Sequence, residues 1–192
     1  MNRISKLLAV CFTACFLTSC EHSEHSEVDK IRFQVEVKQI IKEVNQTGTI
    51  TDQQAEKLAW RRHSYLKLEG LKSITNRQAE ILSSVEHLHL TGLSTITDQQ
   101  AEILSNVTVL SLAALTSITD KQVESLSKVR ELYLNGLTSI TDPQAEHLSK
   151  VKHLKLKAIT SISDKQAESL SEVEYLLIPE TLQPLIDKYN KQ

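Results

Sequence analysis

The chain is 192 residues long, 40% hydrophobic, 24% charged and only 4% aromatic. That apolar content is too high and too regular for general disorder, and it suffices for one modest globular domain. Lys and Arg total 22 against 24 Asp and Glu. No basic stripe with interleaved aromatics occurs, so nucleic-acid binding is not expected.

The chain opens on MNRISK, continues with the apolar run LLAVCFTACFL and reaches LTSC, which ends at Cys20. A basic start followed by an apolar core of about ten residues reads as a secretion signal, too short to span a bilayer comfortably. LTSC also resembles the bacterial lipobox, which implies that Cys20 is acylated and becomes the first mature residue. Residues 1–19 are then the signal peptide. Cys11 and Cys15 leave with it and no Cys follows Cys20, so neither disulfide nor thiol chemistry is expected in the domain. Loss of Arg3 and Lys6 leaves 20 cations against 24 anions, a formal charge of −4. Glu21, and not Asp, follows the Cys, which favours an outer-membrane address with the domain facing the periplasm or the cell surface.

Residues 20–30 include EHSEHSEVDK, polar and without apolar periodicity, as a flexible tether from a lipid anchor should be. Phe33, Val37, Ile40, Ile41 and Val44 then fall at helical spacing, and Asn45-Gln46-Thr47-Gly48 ends the run. The spacing predicts an amphipathic helix over 31–45 within a capping segment, 31–49.

From Ile50 the chain repeats. Units begin at Ile50, Ile74, Ile96, Ile118, Ile140 and Ile162, spaced by 22 residues except for a first spacing of 24. The two extra residues fall within AWRRHSYLKL (59–68). Each unit has two halves with different apolar periods. Around Leu110 and Leu112 the pattern alternates, which predicts a short strand. In ITDQQAEILS, Ala101 and Leu104 share one face of a short helix. Thr97 and Gln100 form the T-x-x-Q box that closes a first helical turn reciprocally. Asp98 adds negative charge where a helix start favours it, and Pro143 sits where its missing N–H costs little. The recurring Asp, Gln and Glu therefore read as folding chemistry.

The unit xLxLxxLxxITDxQAExLSxV resembles the leucine-rich repeat family, with LxL and ITD most similar to its cysteine-containing subclass. The resemblance covers six repeats over 50–183 and implies a right-handed α/β solenoid with parallel strands on a concave face and short helices on a convex face. Where that family often has Asn or Cys after the strand, this chain has Leu71, Leu93, Leu115, Leu137 and Ile159. The turn is therefore expected to be dry and filled by aliphatic side chains. Stacking should set Leu88, Leu110, Leu132, Leu154 and Leu176 in one interior row and Leu90, Leu112, Leu134 and Leu156 in another. Each fully buried Leu contributes about 1.5–3 kcal/mol, before conformational entropy is subtracted. The ends of such a stack need caps. The 31–45 helix is expected at one end and a C-terminal cap, 184–192 with its helix starting near 180, at the other.

Leucine-rich repeats bind partners through the outward residues of their strands. Within this chain those columns read Tyr65, His87, Val109, Glu131, His153, Tyr175, then Lys67, His89, Ser111, Tyr133, Lys155, Leu177, then Glu69, Thr91, Ala113, Asn135, Lys157, Pro179. They differ from copy to copy while the scaffold positions barely change. Solvated positions drift in this way, and so does a binding surface. On the second reading Tyr65, Lys67, His87, His89, Glu131, Tyr133, His153 and Lys155 form the partner-binding face, since Tyr and His combine apolar area with a polar tip. Trp60, Arg61 and Arg62 in the insertion are either a cap-packing Trp with solvated Arg or an edge contact for a partner or lipid head groups.

Catalytic and metal sites are not expected. His87 and His89 share a face about 7 Å apart by strand rise, but the next strand offers Val109 and Ser111 and no third ligand. His22 and His25 lie on the tether, where a weakly held cation is the alternative to plain flexibility. The repeated carboxylates recur once per turn instead of converging in a cleft, and Asn76 replaces one Asp without breaking the pattern. No Gly-rich phosphate loop occurs, and no cofactor is implied.

The expected protein is a monomeric, non-enzymatic, lipid-anchored module of the bacterial envelope that binds a protein partner through its strand face. The alternative is a structural or envelope-organising lipoprotein, or a glycan or peptidoglycan binder. Tyr65, Tyr133 and Tyr175 are expected to stand far apart, which counts against glycan.

Overall fold

The computed structural model describes residues 27–60 and 64–190. The signal, Cys20, His22, His25, Arg61 and Arg62 lie outside them. The described chain divides into two units: residues up to Gln34, and Val35–Gln192. Of the first, the described part is the opening of helix α1 (Glu27–Thr47), which starts four residues before the expected 31 and ends two after 45.

The second unit holds the repeats. After α1 come α2 (Asp52–Ala59), β1 (Tyr65–Lys67), α3 (Asn76–Leu82), β2 (His87–His89), α4 (Asp98–Leu104), β3 (Val109–Ser111), α5 (Asp120–Leu126), β4 (Glu131–Tyr133), α6 (Asp142–Leu148), β5 (His153–Lys155), α7 (Asp164–Leu170) and β6 (Tyr175–Leu177). A 3-10 turn (Glu180–Leu182) and α8 (Gln183–Asp187) follow. The strands form one open, wholly parallel sheet in chain order, β1 to β6. The fold is thus the expected α/β solenoid of leucine-rich-repeat type. Register is fixed by the leucines: Leu66, Leu88, Leu110, Leu132, Leu154 and Leu176 pair in succession. A slip of one residue would turn this row out to solvent. The five before Leu176 are buried, as are Leu68, Leu90, Leu112, Leu134 and Leu156 in the second row. Leu176 is only partly buried because its strand, β6, is the edge of the described sheet.

The turns after β1 to β5 are filled by aliphatic side chains, as expected. Leu71, Leu93, Leu115, Leu137 and Ile159 are buried, and short backbone bonds such as Leu115 N–H to the Leu112 carbonyl (3.2 Å) close them. The backbones come so near here that Gly136 has no room for a side chain: a Cβ would stand 2.5 Å from the Ala113 and Leu115 carbonyl oxygens.

Every repeat helix starts on the same device. Thr51, Thr75, Thr97, Thr119, Thr141 and Ser163 accept from the backbone N–H of the Gln three residues on, and that Gln side chain accepts in return. The Gln does more than the sequence pattern showed. Its Nε2 also donates to the Ile carbonyl of the preceding unit: Gln78 to Ile50 and Gln100 to Ile74 at 2.8 Å, Gln122 to Ile96 and Gln144 to Ile118 at 2.9 Å, Gln166 to Ile140 at 3.0 Å. The Asp reaches across too. Asp120 Oδ1 accepts from Thr141 (3.2 Å) and Gln144 (2.9 Å) of the next unit.

Both ends of this ladder are closed by non-repeat residues. Gln54 has no preceding unit and turns to Glu43 of α1 at 3.4 Å. Asn45 of α1 accepts from Gly70 N–H (2.8 Å), and the Gly48 carbonyl accepts from Lys72 N–H (2.8 Å). Gly48 ends α1 at φ 75°, a conformation that favours glycine. At the other end Lys188 pairs with Asp164 at 3.2 Å, while Ile186 is buried and Leu182, Leu185 and Tyr189 pack on the core.

Candidate functional site: the strand face

Alternation along each three-residue strand sends its middle Leu inward and its two flanking residues to the opposite face. Tyr65, Lys67, His87, His89, Glu131, Tyr133, His153, Lys155, Tyr175 and Leu177 all take those flanking positions. Tyr65 and Tyr175 at the two ends are the most exposed of the rings.

Strand β3 decides how this face is organised. Its outward residues are small, Val109 and Ser111, yet they are only 4% and 3% exposed. Side chains from both neighbours lean over them. His89 on β2 and Tyr133 on β4 bring their ring centroids to 6.2 Å, although two strand spacings amount to about 9.6 Å. Sequence reasoning set Val109 and Ser111 in the outward columns without distinguishing solvated from covered positions. The size drop on β3, legible in the outward columns, was the signal that its neighbours could meet above it.

The contacts continue in both directions. Tyr65 lies 4.9 Å from His89. Lys155 Nζ sits 3.9 Å above the Tyr133 ring, a cation–π arrangement. Tyr133 Oη donates to Glu131 Oε2 at 2.8 Å, His153 Nδ1 lies 3.4 Å from Glu131 Oε1, and His153 and Tyr175 stack edge-on at 4.4 Å. Tyr65, Tyr133 and Tyr175, expected to stand far apart, are thus joined through His89, Glu131 and His153 into one stripe crossing all six strands. Consecutive tyrosines along the stripe lie three strands apart or fewer, and imidazoles fill the gaps.

The electrostatics follow from this crowding. Burial, reinforced by the Glu131 hydrogen bond, pushes the Tyr133 phenol up to about 12. Burial and the nearby cations Lys67 and Lys155, with His87, hold His89 below its ordinary 6.5. Its Nε2 is buried without a protein hydrogen-bond partner, as is Asn135 Oδ1 two residues beyond Tyr133. Lys67 is held protonated to higher pH by Glu69 at 2.8 Å. The stripe combines rings held by their neighbours, two paired carboxylates (Glu69 and Glu131) and the cations Lys67 and Lys155. Such a surface suits recognition by stacking and hydrogen bonding. Among the described residues no three His, Cys, Asp or Glu side chains gather as metal ligands would, and no helix is long and apolar enough to cross a membrane.

Away from this face, Trp60 does not pack as a cap residue. It is 76% exposed at the end of α2.

No family model matches the chain, and no curated protein matches its sequence. Among solved structures, an internalin from Listeria monocytogenes is similar at 23% identity, with a TM-score of 0.46, over 74% of this chain and 42% of that one. The chain spans less than half the length of that internalin.

Proposed function

We propose that the chain is a lipid-anchored, non-enzymatic interaction module of the bacterial cell envelope that binds a protein partner through its strand face. The observation that carries this reading is the stripe from Tyr65 to Tyr175. Residues that differ from repeat to repeat converge there into a connected surface on an otherwise uniform frame. Aromatic side chains held by neighbours lose little freedom on binding, which favours them as anchors. A photo-crosslinking residue at Tyr65 or Tyr175 in living cells should capture a discrete protein, and Tyr133→Ala combined with His153→Ala should weaken that capture while circular dichroism still reports folded repeats. Adducts forming from helix positions such as Glu102, and none from the strand face, would overturn the assignment.

The anchor rests on LTSC and is tested separately. Cys20→Ala should leave an unprocessed precursor without lipid label, and a normally processed variant would sink it. Inner- and outer-membrane fractionation tests the outer-membrane address, and native mass the monomeric state.

A second reading gains support from the same stripe. Connected rings are platforms on which sugar faces stack, so glycan or peptidoglycan regains weight. Co-sedimentation with purified cell wall, lost in Tyr133→Ala, would favour it over a protein partner.

A further inference from the structure

We infer that the α1–α2 edge of the repeat unit rests on a lipid bilayer, with the Trp60 indole at the interface. This rests on the reading of Cys20 as the acylated residue. The local geometry comes from two contacts. Gln54 of α2 reaches Glu43 of α1, and Lys57, one turn later, pairs with Glu36. Helix α2 therefore runs antiparallel to α1. Trp60, three residues beyond Lys57, continues α2 in the direction that runs from Glu43 toward Glu36 and Val35. Trp60 and Val35 are 76% and 63% exposed, the highest values among the exposed large apolar side chains described. A Trp with an apolar body and an N–H edge suits the headgroup level of a membrane.

Chain length makes the contact reachable. Six residues separate Cys20 from Glu27, where α1 begins. Fully extended they span about 25 Å at most. An acyl chain in the bilayer thus keeps this edge at high local concentration over lipid, so one indole and one Val form a stable contact that free protein would not make. Strand β1 follows Trp60 in the chain and β6 is the far edge of the sheet. The first repeat faces lipid and the α8 end points away, leaving the strand face clear along its length.

Trp60 is the only Trp in the chain, so the intact protein carries its own reporter. The purified acylated chain is reconstituted into phosphatidylethanolamine–phosphatidylglycerol vesicles with bromine-labelled acyl chains, and intact mass measures the modification of Cys20. Expected are a blue shift of the emission, loss of intensity to the bromines and loss of quenching by aqueous iodide. A Trp60→Phe/Asn190→Trp variant, with its reporter at the opposite end, should stay open to iodide and silent to bromine. Acylated protein whose Trp60 remains fully accessible to iodide overturns the inference, as does bromine quenching confined to position 190. Absence of the acyl mass removes the premise, and the inference with it, a result separate from either quenching outcome.

Discussion

Gln100 Nε2 donates to the backbone carbonyl of Ile74 at 2.8 Å while Gln100 Oε1 accepts from the backbone N–H of Thr97 at 3.0 Å. One buried amide thereby closes its own helix start and ties it to the preceding repeat. Both of its polar atoms are satisfied, which a buried amide requires. A Glu could close the same capping box but has no N–H for the carbonyl behind it.

That distinction gives the first prediction. Gln122→Glu keeps an acceptor for Thr119 but strips the Ile96 carbonyl of its donor and sets a carboxylate in a buried position. Urea unfolding should show a loss of about 1–3 kcal/mol. Lys121→Ala, which removes only an exposed pair with Asp98 at 3.6 Å, should cost less than about 1 kcal/mol. Equal effects would mean that the amide ties nothing across repeats.

Gly136→Ala tests the close approach of the turns. The new methyl meets two backbone oxygens at 2.5 Å, and neither can swing aside as a side chain would. A destabilisation of about 1–3 kcal/mol is expected. Ala114 and Ala158 hold the equivalent place in their repeats, so Ala158→Gly should cost no more than about 1 kcal/mol. Thermal melts of the two variants compare the sites directly.

Tyr133 should titrate apart from an ordinary phenol. Ultraviolet titration of tyrosinate is expected to show a component near 12, absent in Tyr133→Phe and moved downward in Glu131→Gln, which removes the charged acceptor. The raised folded value sets the sign of the linkage. The contribution of Tyr133 is fully present below the unfolded value near 10 and is lost as pH rises from about 10 toward 12.

His89 behaves in the opposite sense. Its folded value lies below 6.5, so the unfolded chain takes up its proton first as the solution is acidified. Its contribution is present above about 6.5 and is lost as pH falls through the depressed value. Imidazole resonances in NMR should show a midpoint below 6.5, rising toward it in Lys67→Gln, where one repelling cation is gone. An unmoved midpoint would remove Lys67 from the causes and leave burial, His87 and Lys155.

The strand face was legible as a set of positions. Three columns of differing residues beside fixed leucines marked Tyr65, His89, Tyr133 and His153 before any coordinates. Their connection was not legible, because strand spacing alone puts β2 and β4 out of reach of each other. It needed the low profile of Val109 and Ser111, which lets His89 and Tyr133 lean together. The second role of Gln was hidden for a related reason. The capping pattern accepts Glu or Gln, and only the carbonyl behind it explains why the five copies from Gln78 to Gln166 hold Gln.

The sequence by itself determined the repeat, the strand and helix of each unit and the interior leucine rows. These follow from local periodicity and capping chemistry, which act over a few residues and recur six times. The tertiary structure decided what depends on residues a full repeat or more apart. Stacking turned the Gln of five repeats into a strut, joined the scattered rings into one stripe, shifted the titration of His89 and Tyr133, and left Trp60 exposed. Apart from the contacts of Glu131 with Tyr133 and of His87 with His89, which share a strand, those are through-space effects of neighbours distant in the sequence, and packing alone brings them close.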